Sequence, residues 1–170
     1  MYRTRIATAV VIAAVASCSV ALTAEASRST APPCTPKIAT IDGHKAAVNC
    51  GPATVTLDLS GRTYTFRDGF CMKSKSTGAL QLDLGTNVVG VKGNAGKPDF
   101  TMLITKFHTA YGSGSVFGAD YGGKDLFPNG QTLINVRGKL PAAGTFTSSF
   151  TLGAKFTGSW NCHGVVWQER

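Results

Sequence analysis

The chain has 170 residues and a formal net charge of +8. Removal of an N-terminal segment that carries two arginines leaves fifteen basic residues against eight or nine acidic ones, so the mature protein keeps a charge of +6 or +7. This balance suits an anionic lipid surface or an acidic envelope polymer, whereas scattered lysines without a recognition motif exclude a dedicated nucleic-acid-binding protein.

The N-terminus predicts export. Two arginines in the first five residues precede an uncharged apolar run over residues 6–16, which is typical of a secretory signal peptide. Ala24-Glu25-Ala26 is a small-x-small cleavage site, which gives a signal peptide over residues 1–26. Val15-Ala16-Ser17-Cys18 instead resembles a lipobox, in which Cys18 is lipidated and becomes the new N-terminus.

Two regions follow the signal segment. Residues 27–36 are rich in Ser, Thr, Ala and Pro and predict a flexible tether. Residues 37–170 show no second boundary and predict one domain, long enough to bury roughly two thirds of its surface. No later run approaches the ~20 apolar residues of a membrane span.

The clearest local element is a hairpin around Ser60-Gly61. The segments on either side alternate polar and apolar residues, which indicates two strands with one apolar face. Burial of that face fixes the register. The predicted cross-strand pairs are Leu57 with Tyr64, Val55 with Phe66, Asp58 with Thr63 and Thr54 with Arg67.

Further strand patterns follow, separated by Gly, Asn and Pro. They cover residues 80–84, 87–91, 99–107 and 131–140, and a second hairpin on either side of Gly153-Ala154-Lys155. No window of helical length has apolar spacing of three and four with caps. The predicted fold class is therefore all-β, an antiparallel β-sandwich, with a partly open β-barrel as the alternative.

The cysteines agree with export. Cys18 is either lipidated or removed, and an even number of cysteines then remains. In an oxidising compartment these four predict two disulfides with three possible connectivities. The four are Cys34, Cys50, Cys71 and Cys162.

Three short pieces carry a family resemblance: Ala39-Thr40-Ile41-Asp42-Gly43, then Val48-Asn49-Cys50, and a last strand that ends Trp160-Asn161-Cys162. With the lipobox and the tether, they resemble the mycobacterial lipoprotein antigen family. The resemblance implies that Cys50 pairs with Cys162, which leaves Cys34 with Cys71. It also implies a surface-exposed envelope lipoprotein, visible to a host immune system, without an established enzymatic activity.

Residues 108–130 are the one stretch whose composition suggests a ligand. Tyr111, Phe117, Tyr121 and Phe127 alternate with six glycines, which predicts an aromatic, glycine-rich loop able to stack on a sugar or line a lipid groove. The alternative is that these aromatics pack at one end of the fold.

Catalytic and metal chemistry are not predicted. Cys162 and His163 are adjacent, so their side chains point to opposite faces of a strand, and no nucleophile-elbow motif is present. Asp120, Asp125 and Asn129 lack calcium-loop spacing. Three other aspartates lie on separate strands or turns and predict no catalytic carboxylate pair; they are Asp58, Asp68 and Asp83.

The sequence therefore predicts a monomeric, non-enzymatic lipoprotein on the outer face of the cell membrane or in the cell envelope, held by a lipid on Cys18, without a cofactor or metal. The alternative is a freely secreted module that binds a glycan or lipid through the aromatic loop.

Overall fold

The computed structural model describes residues 35–108, 110–127, 130–139, 141–148 and 155–169. The predicted signal segment, Cys18, Cys34 and Asn129 lie outside these residues. The all-β prediction is confirmed, because the described chain folds into strands joined by turns and one short 3-10 segment, Lys92–Gly96. The strands are β1 (Lys37–Ile41), β2 (His44–Val48), β3 (Ala53–Leu59), β4 (Arg62–Lys73), β5 (Leu80–Val88), β6 (Asp99–Phe107), β7 (Tyr111–Tyr121), β8 (Lys124–Asp125), β9 (Thr132–Lys139), β10 (Ala143–Ser148), β11 (Phe156–Asn161) and β12 (Trp167–Gln168).

Eight of these strands pair in a closed ring. Each pairs antiparallel with the strand before it, in the order β3, β4, β5, β6, β7, β9, β10 and β11, and β11 pairs back with β3. The other four strands are short and lie outside the ring. Three of them pair with a ring strand: β2 with β5, β8 with β7 and β12 with β4. The fourth, β1, pairs with β2. All strand edges within the ring are thereby paired, at least over part of their length.

β4 closes the ring because it changes partner along its length. Its first part pairs with β3 up to Gly69, and from Gly69 onward it pairs with β5. The predicted hairpin register is confirmed for Leu57 with Tyr64, and likewise for Val55 with Phe66 and Asp58 with Thr63. The predicted pair of Thr54 with Arg67 is wrong, because a bulge shifts the register there.

The inward-facing side chains fill the ring. Aromatic residues from β4, β6, β10 and β11 meet inside it, with ring centroids of Phe66 and Phe100 at 5.1 Å and of Phe100 and Phe146 at 6.2 Å. Trp160 lies 6.5 Å from Phe146, and its Nε1 donates to the Pro141 carbonyl at 3.2 Å. Leucines of β3 and β5 complete this core. An interior packed in this way is a hydrophobic core.

The disulfide differs from the one that the family resemblance implied. Cys71 bonds Cys162, with their Cα atoms 5.8 Å apart and both side chains buried. β3 begins at Ala53, opposite Gly69, and β12 pairs with β4 only from Met72, so at Cys71 no described strand lies between β4 and the end of β11. The implied pairings of Cys50 with Cys162 and of Cys34 with Cys71 are therefore wrong. Cys50 is also disulfide-bonded.

Candidate functional site

The predicted aromatic loop is a strand. Tyr111 and Tyr121 are the two end residues of β7, so about 33 Å separates them along the strand. Phe117, which is 45% exposed, sits at a bulge between Val116 and Gly118, the β7 partners of two successive β6 residues. The prediction of one pliant loop that gathers these aromatics is wrong, and a small ligand cannot contact both ends of β7.

The four predicted ligand-binding aromatics have separate surroundings. The Tyr121 ring packs edge-on against Tyr64 and Phe66, at 5.5 and 5.7 Å. Phe127 is buried and lies 4.9 Å from the Phe156 ring. At the other end of β7, Tyr111 is 59% exposed and its ring packs against His108 at a tilt of 31°. Tyr111 and Phe117 are thus the more exposed of the four.

The histidines do not converge on a metal site. His44 lies on β2, His108 precedes β7, and His163 follows β11 with its Nε2 3.2 Å from the Thr54 hydroxyl. Across the described ranges, no group of three or more His, Cys, Asp or Glu residues is arranged to hold a metal ion.

The fold assembles an acidic cluster that the sequence did not reveal. Asp99, at the start of β6, lies directly opposite Asp120 on β7, and Asp120 lies opposite Asp125 on β8. Asp83 is two residues before the β5 partner of Asp99. We define the acidic cluster by these four aspartates, which are four of the nine acidic residues of the chain. Only the strand register could reveal it, because up to 42 sequence positions separate its members.

Asp99 is the buried member of the acidic cluster. It is 3% exposed, its Oδ2 accepts from the Asn87 side-chain amide at 2.8 Å, and its Oδ1 is buried without a hydrogen-bond partner. Burial raises the pKa of Asp99 to about 6, and repulsion from Asp120 and Asp83 adds to this effect. The Asn87 bond opposes the increase. The carboxyl can therefore take up a proton just below neutral pH.

Two other members have raised pKa values. Burial raises the pKa of Asp120, and repulsion from Asp125 adds to it. Burial also raises the pKa of Asp83, against the hydrogen bonds from Gln81 and Thr101. Ionisation of these carboxyl groups is therefore energetically unfavourable, because burial and neighbouring negative charges both disfavour it.

Asn94 fixes the segment that precedes this cluster. Its side-chain oxygen accepts from the Val88 backbone N–H, and its amide donates to the Thr86 carbonyl and, at 2.8 Å, to the Lys97 carbonyl. Residues 93–96 have positive φ, so the backbone turns in a left-handed sense around this side chain. Asn94 suits the position because asparagine tolerates positive φ better than most residues.

A basic–aromatic rim occupies the opposite end of β6 and β7. We define the rim by Lys73, Lys106, Phe107, His108, Tyr111 and Arg137. The Lys73 ammonium lies 5.8 Å from the centre of the Phe107 ring, and the His108 and Tyr111 rings are 4.7 Å apart. Tyr111 is the cross-strand partner of Arg137 on β9. These contacts connect the ends of four strands.

Comparisons with models of known families, with curated proteins and with solved structures find no match to this chain. In the part of the chain that the structure describes, no helix has both the length and the apolar character needed to cross a membrane.

Proposed function

We propose that this protein is an exported, non-enzymatic envelope lipoprotein, anchored through a lipid on Cys18, which displays a disulfide-stapled β domain at the outer face of the membrane. The observation that carries the proposal is the buried bond between Cys71 and Cys162. Such bonds persist in oxidising compartments and are rare in the cytosol. The apolar N-terminal run and the lipobox-like residues that end at Cys18 support the same location.

For the shape of the domain, we infer a closed barrel with a packed interior. The partner change of β4 supports this, because it joins β3 and β5 within one continuous ladder. Eight-stranded barrels are either filled by side chains or hold one small ligand. The contacts of Phe66, Phe100 and Phe146 inside the ring favour the filled kind. Partners then bind to the outer surface.

The mature N-terminus tests the anchor. Intact mass and detergent partitioning of the native protein should show an acylated N-terminal Cys18, and Cys18→Ala should release the protein into the aqueous phase. Native protein that is water-soluble and begins at Ser27 would reject the anchor and leave a freely secreted domain.

The non-enzymatic part needs its own assay. Purified protein should show no turnover of ester, peptide and glycoside substrates above that of a heat-unfolded sample. Turnover that co-purifies with the folded protein would contradict this part and leave the anchor intact.

A further inference from the structure

We propose that the basic–aromatic rim docks on an anionic lipid surface. The inference rests on the proposed envelope location, and it adds a contact between the folded domain and the membrane that is separate from the acyl anchor. The rim lies on the folded domain, at the ends of β4, β6 and β9 and the start of β7. It can therefore contact lipid headgroups only if the domain is oriented with this end toward the membrane.

Positive charge at this end of the ring is less balanced by carboxylates than at the end that carries the acidic cluster. Lys106 and Arg137 are exposed, Lys73 is half-buried, and Lys139, exposed as well, follows Arg137 by two residues and so lies on the same face of β9. Glu169 is an acidic residue at this end, since its backbone N–H donates to the Lys73 carbonyl at 3.0 Å. With Lys139, the three rim cations give this end four positive charges beside one acidic residue, so the rim complements a surface of negative charge.

The aromatic residues give the rim an apolar part. Tyr111 exposes 59% of its surface, and its contact with His108 restricts the ring before any partner binds. Tyrosine is favoured at membrane–water interfaces because its ring is apolar and its hydroxyl is polar. Phe107 packs against the core, and its ring centre lies 5.8 Å from the Lys73 ammonium.

A lipid surface fits this arrangement better than a narrow groove ligand does. The cations come from the ends of separate strands and lie around exposed Tyr111. Cations of this kind attract headgroup phosphates, and tyrosine is favoured at the membrane–water interface. The sixteen residues between Cys18 and Thr35 span up to ~55 Å when extended. The rim can therefore contact the same membrane that holds the anchor.

Co-sedimentation with lipid vesicles tests the rim without the anchor. The probe is Cys18→Ala protein recovered after export and cleavage at Ala26, so that it lacks the apolar signal segment, mixed with vesicles of phosphatidylcholine, alone or with phosphatidylglycerol. Binding should require phosphatidylglycerol and weaken with added salt. Each rim cation removed should lower the partition coefficient about fivefold, so Lys106→Gln with Arg137→Gln should lower it about 25-fold.

A matched pair of charge changes separates docking from net charge. Lys92→Gln with Lys124→Gln removes the same two charges from the other end of β6 and β7 and should change the partition coefficient less than about threefold, because those lysines lie far from the rim. Tyr111→Ala should weaken the binding that remains at high salt. Circular dichroism and free-thiol titration show that each variant is folded and oxidised.

Two results would overturn the inference. The first is no preference for phosphatidylglycerol vesicles, including the case in which a soluble acidic polysaccharide binds the protein instead. The second is an equal loss of binding in the rim and control pairs, which would assign the effect to overall charge. Neither result bears on the mass of the mature N-terminus, so failure of the rim and failure of the anchor remain distinguishable.

Discussion

The two ends of β6 and β7 place charges of opposite sign in opposite surroundings. At one end, Asp99 faces Asp120 across the ladder, and Asp99 is almost fully buried. At the other end, Lys106 and Arg137 are exposed around Tyr111. Like charges gather at both ends, but only the acidic end carries a desolvation cost for them.

Burial therefore decides what each group of charges does. The Asp99 carboxylate is ionised at neutral pH at the expense of folding stability, because its pKa is raised to about 6. The exposed rim cations Lys106 and Arg137 keep their hydration, so they contribute little to stability and stay available to a partner. The acidic cluster is thus expected to affect folding, and the rim to affect binding.

The largest expected effect concerns the covalent bond at the rim end. Cys71→Ala with Cys162→Ala opens a link between residues 91 positions apart, and should lower the free energy of unfolding by ~4 kcal/mol in the chain-entropy model. Urea titration measures this change, and reduced wild-type protein is the control. A loss below ~1 kcal/mol would show that the ladder alone holds this end.

The buried carboxyl gives the next effect. The pKa of Asp99 is raised from 3.8 to about 6, so the folded state holds the proton more tightly than the unfolded state. This contribution to stability is complete below pH ~4 and is lost as the pH rises through 6, a change of about 3 kcal/mol. Asp99→Asn should flatten that pH profile and raise stability at pH ~7.5 relative to wild type.

Exposed Asp58 supplies the control for this change, because Asp58→Asn removes a surface carboxylate and keeps an oxygen that can accept from the Thr63 hydroxyl. Urea titrations from acid to neutral pH measure both variants. A wild-type protein whose stability increases steadily from pH 4 to 7 would contradict the burial of an ionised Asp99.

A smaller effect on stability is expected at Asn94, a buried polar side chain whose hydrogen bonds are satisfied. Asn94→Ala removes three hydrogen bonds, leaves buried backbone groups unpaired and keeps a positive φ without the side chain that favours it, so stability should fall by ~2 kcal/mol. Exposed Asn135→Ala is the matched control. Equal thermal shifts for the two variants would show that the turn does not depend on Asn94.

The smallest effect belongs to the rim. Lys106→Gln with Arg137→Gln should change the free energy of unfolding by less than ~0.5 kcal/mol, since both side chains are exposed. Thermal denaturation of the same samples used with vesicles measures it. A large destabilisation would remove the contrast between the two ends and make loss of vesicle binding a folding effect.

Local patterns predicted the strands well, because alternation along one strand needs no knowledge of its neighbours. The bounds of β6 agree with the predicted 99–107, and the β3–β4 hairpin has most of its predicted pairs. The glycines of β7 misled the prediction because glycine is typical of turns. In the structure, a Cβ at Gly112 or Gly114 would collide with the β6 backbone, so glycine allows two strands to approach closely beside bulges.

The candidate sites depended on register between distant segments, which composition does not contain. Asp99 meets Asp120 only through the β6–β7 ladder, and Cys71 meets Cys162 only because β3 starts at Ala53. The exposed partners in the rim were equally hidden, although Tyr111 itself was predicted as a ligand-binding residue. Alternation within each strand shows which face is buried, and the pairing between strands then determines which charges meet.

The last pairing of the ring joins residues 54–59 to residues 156–161. Because a chain emerges from the ribosome with its N-terminal part first, one edge of β3 stays unpaired until nearly the whole protein has been synthesised. A seam of this kind closes late and slowly, since its two sides are about a hundred residues apart. An unpaired strand edge is prone to aggregation, so the yield of correctly folded and oxidised protein would depend on how well that edge is protected before the ring closes.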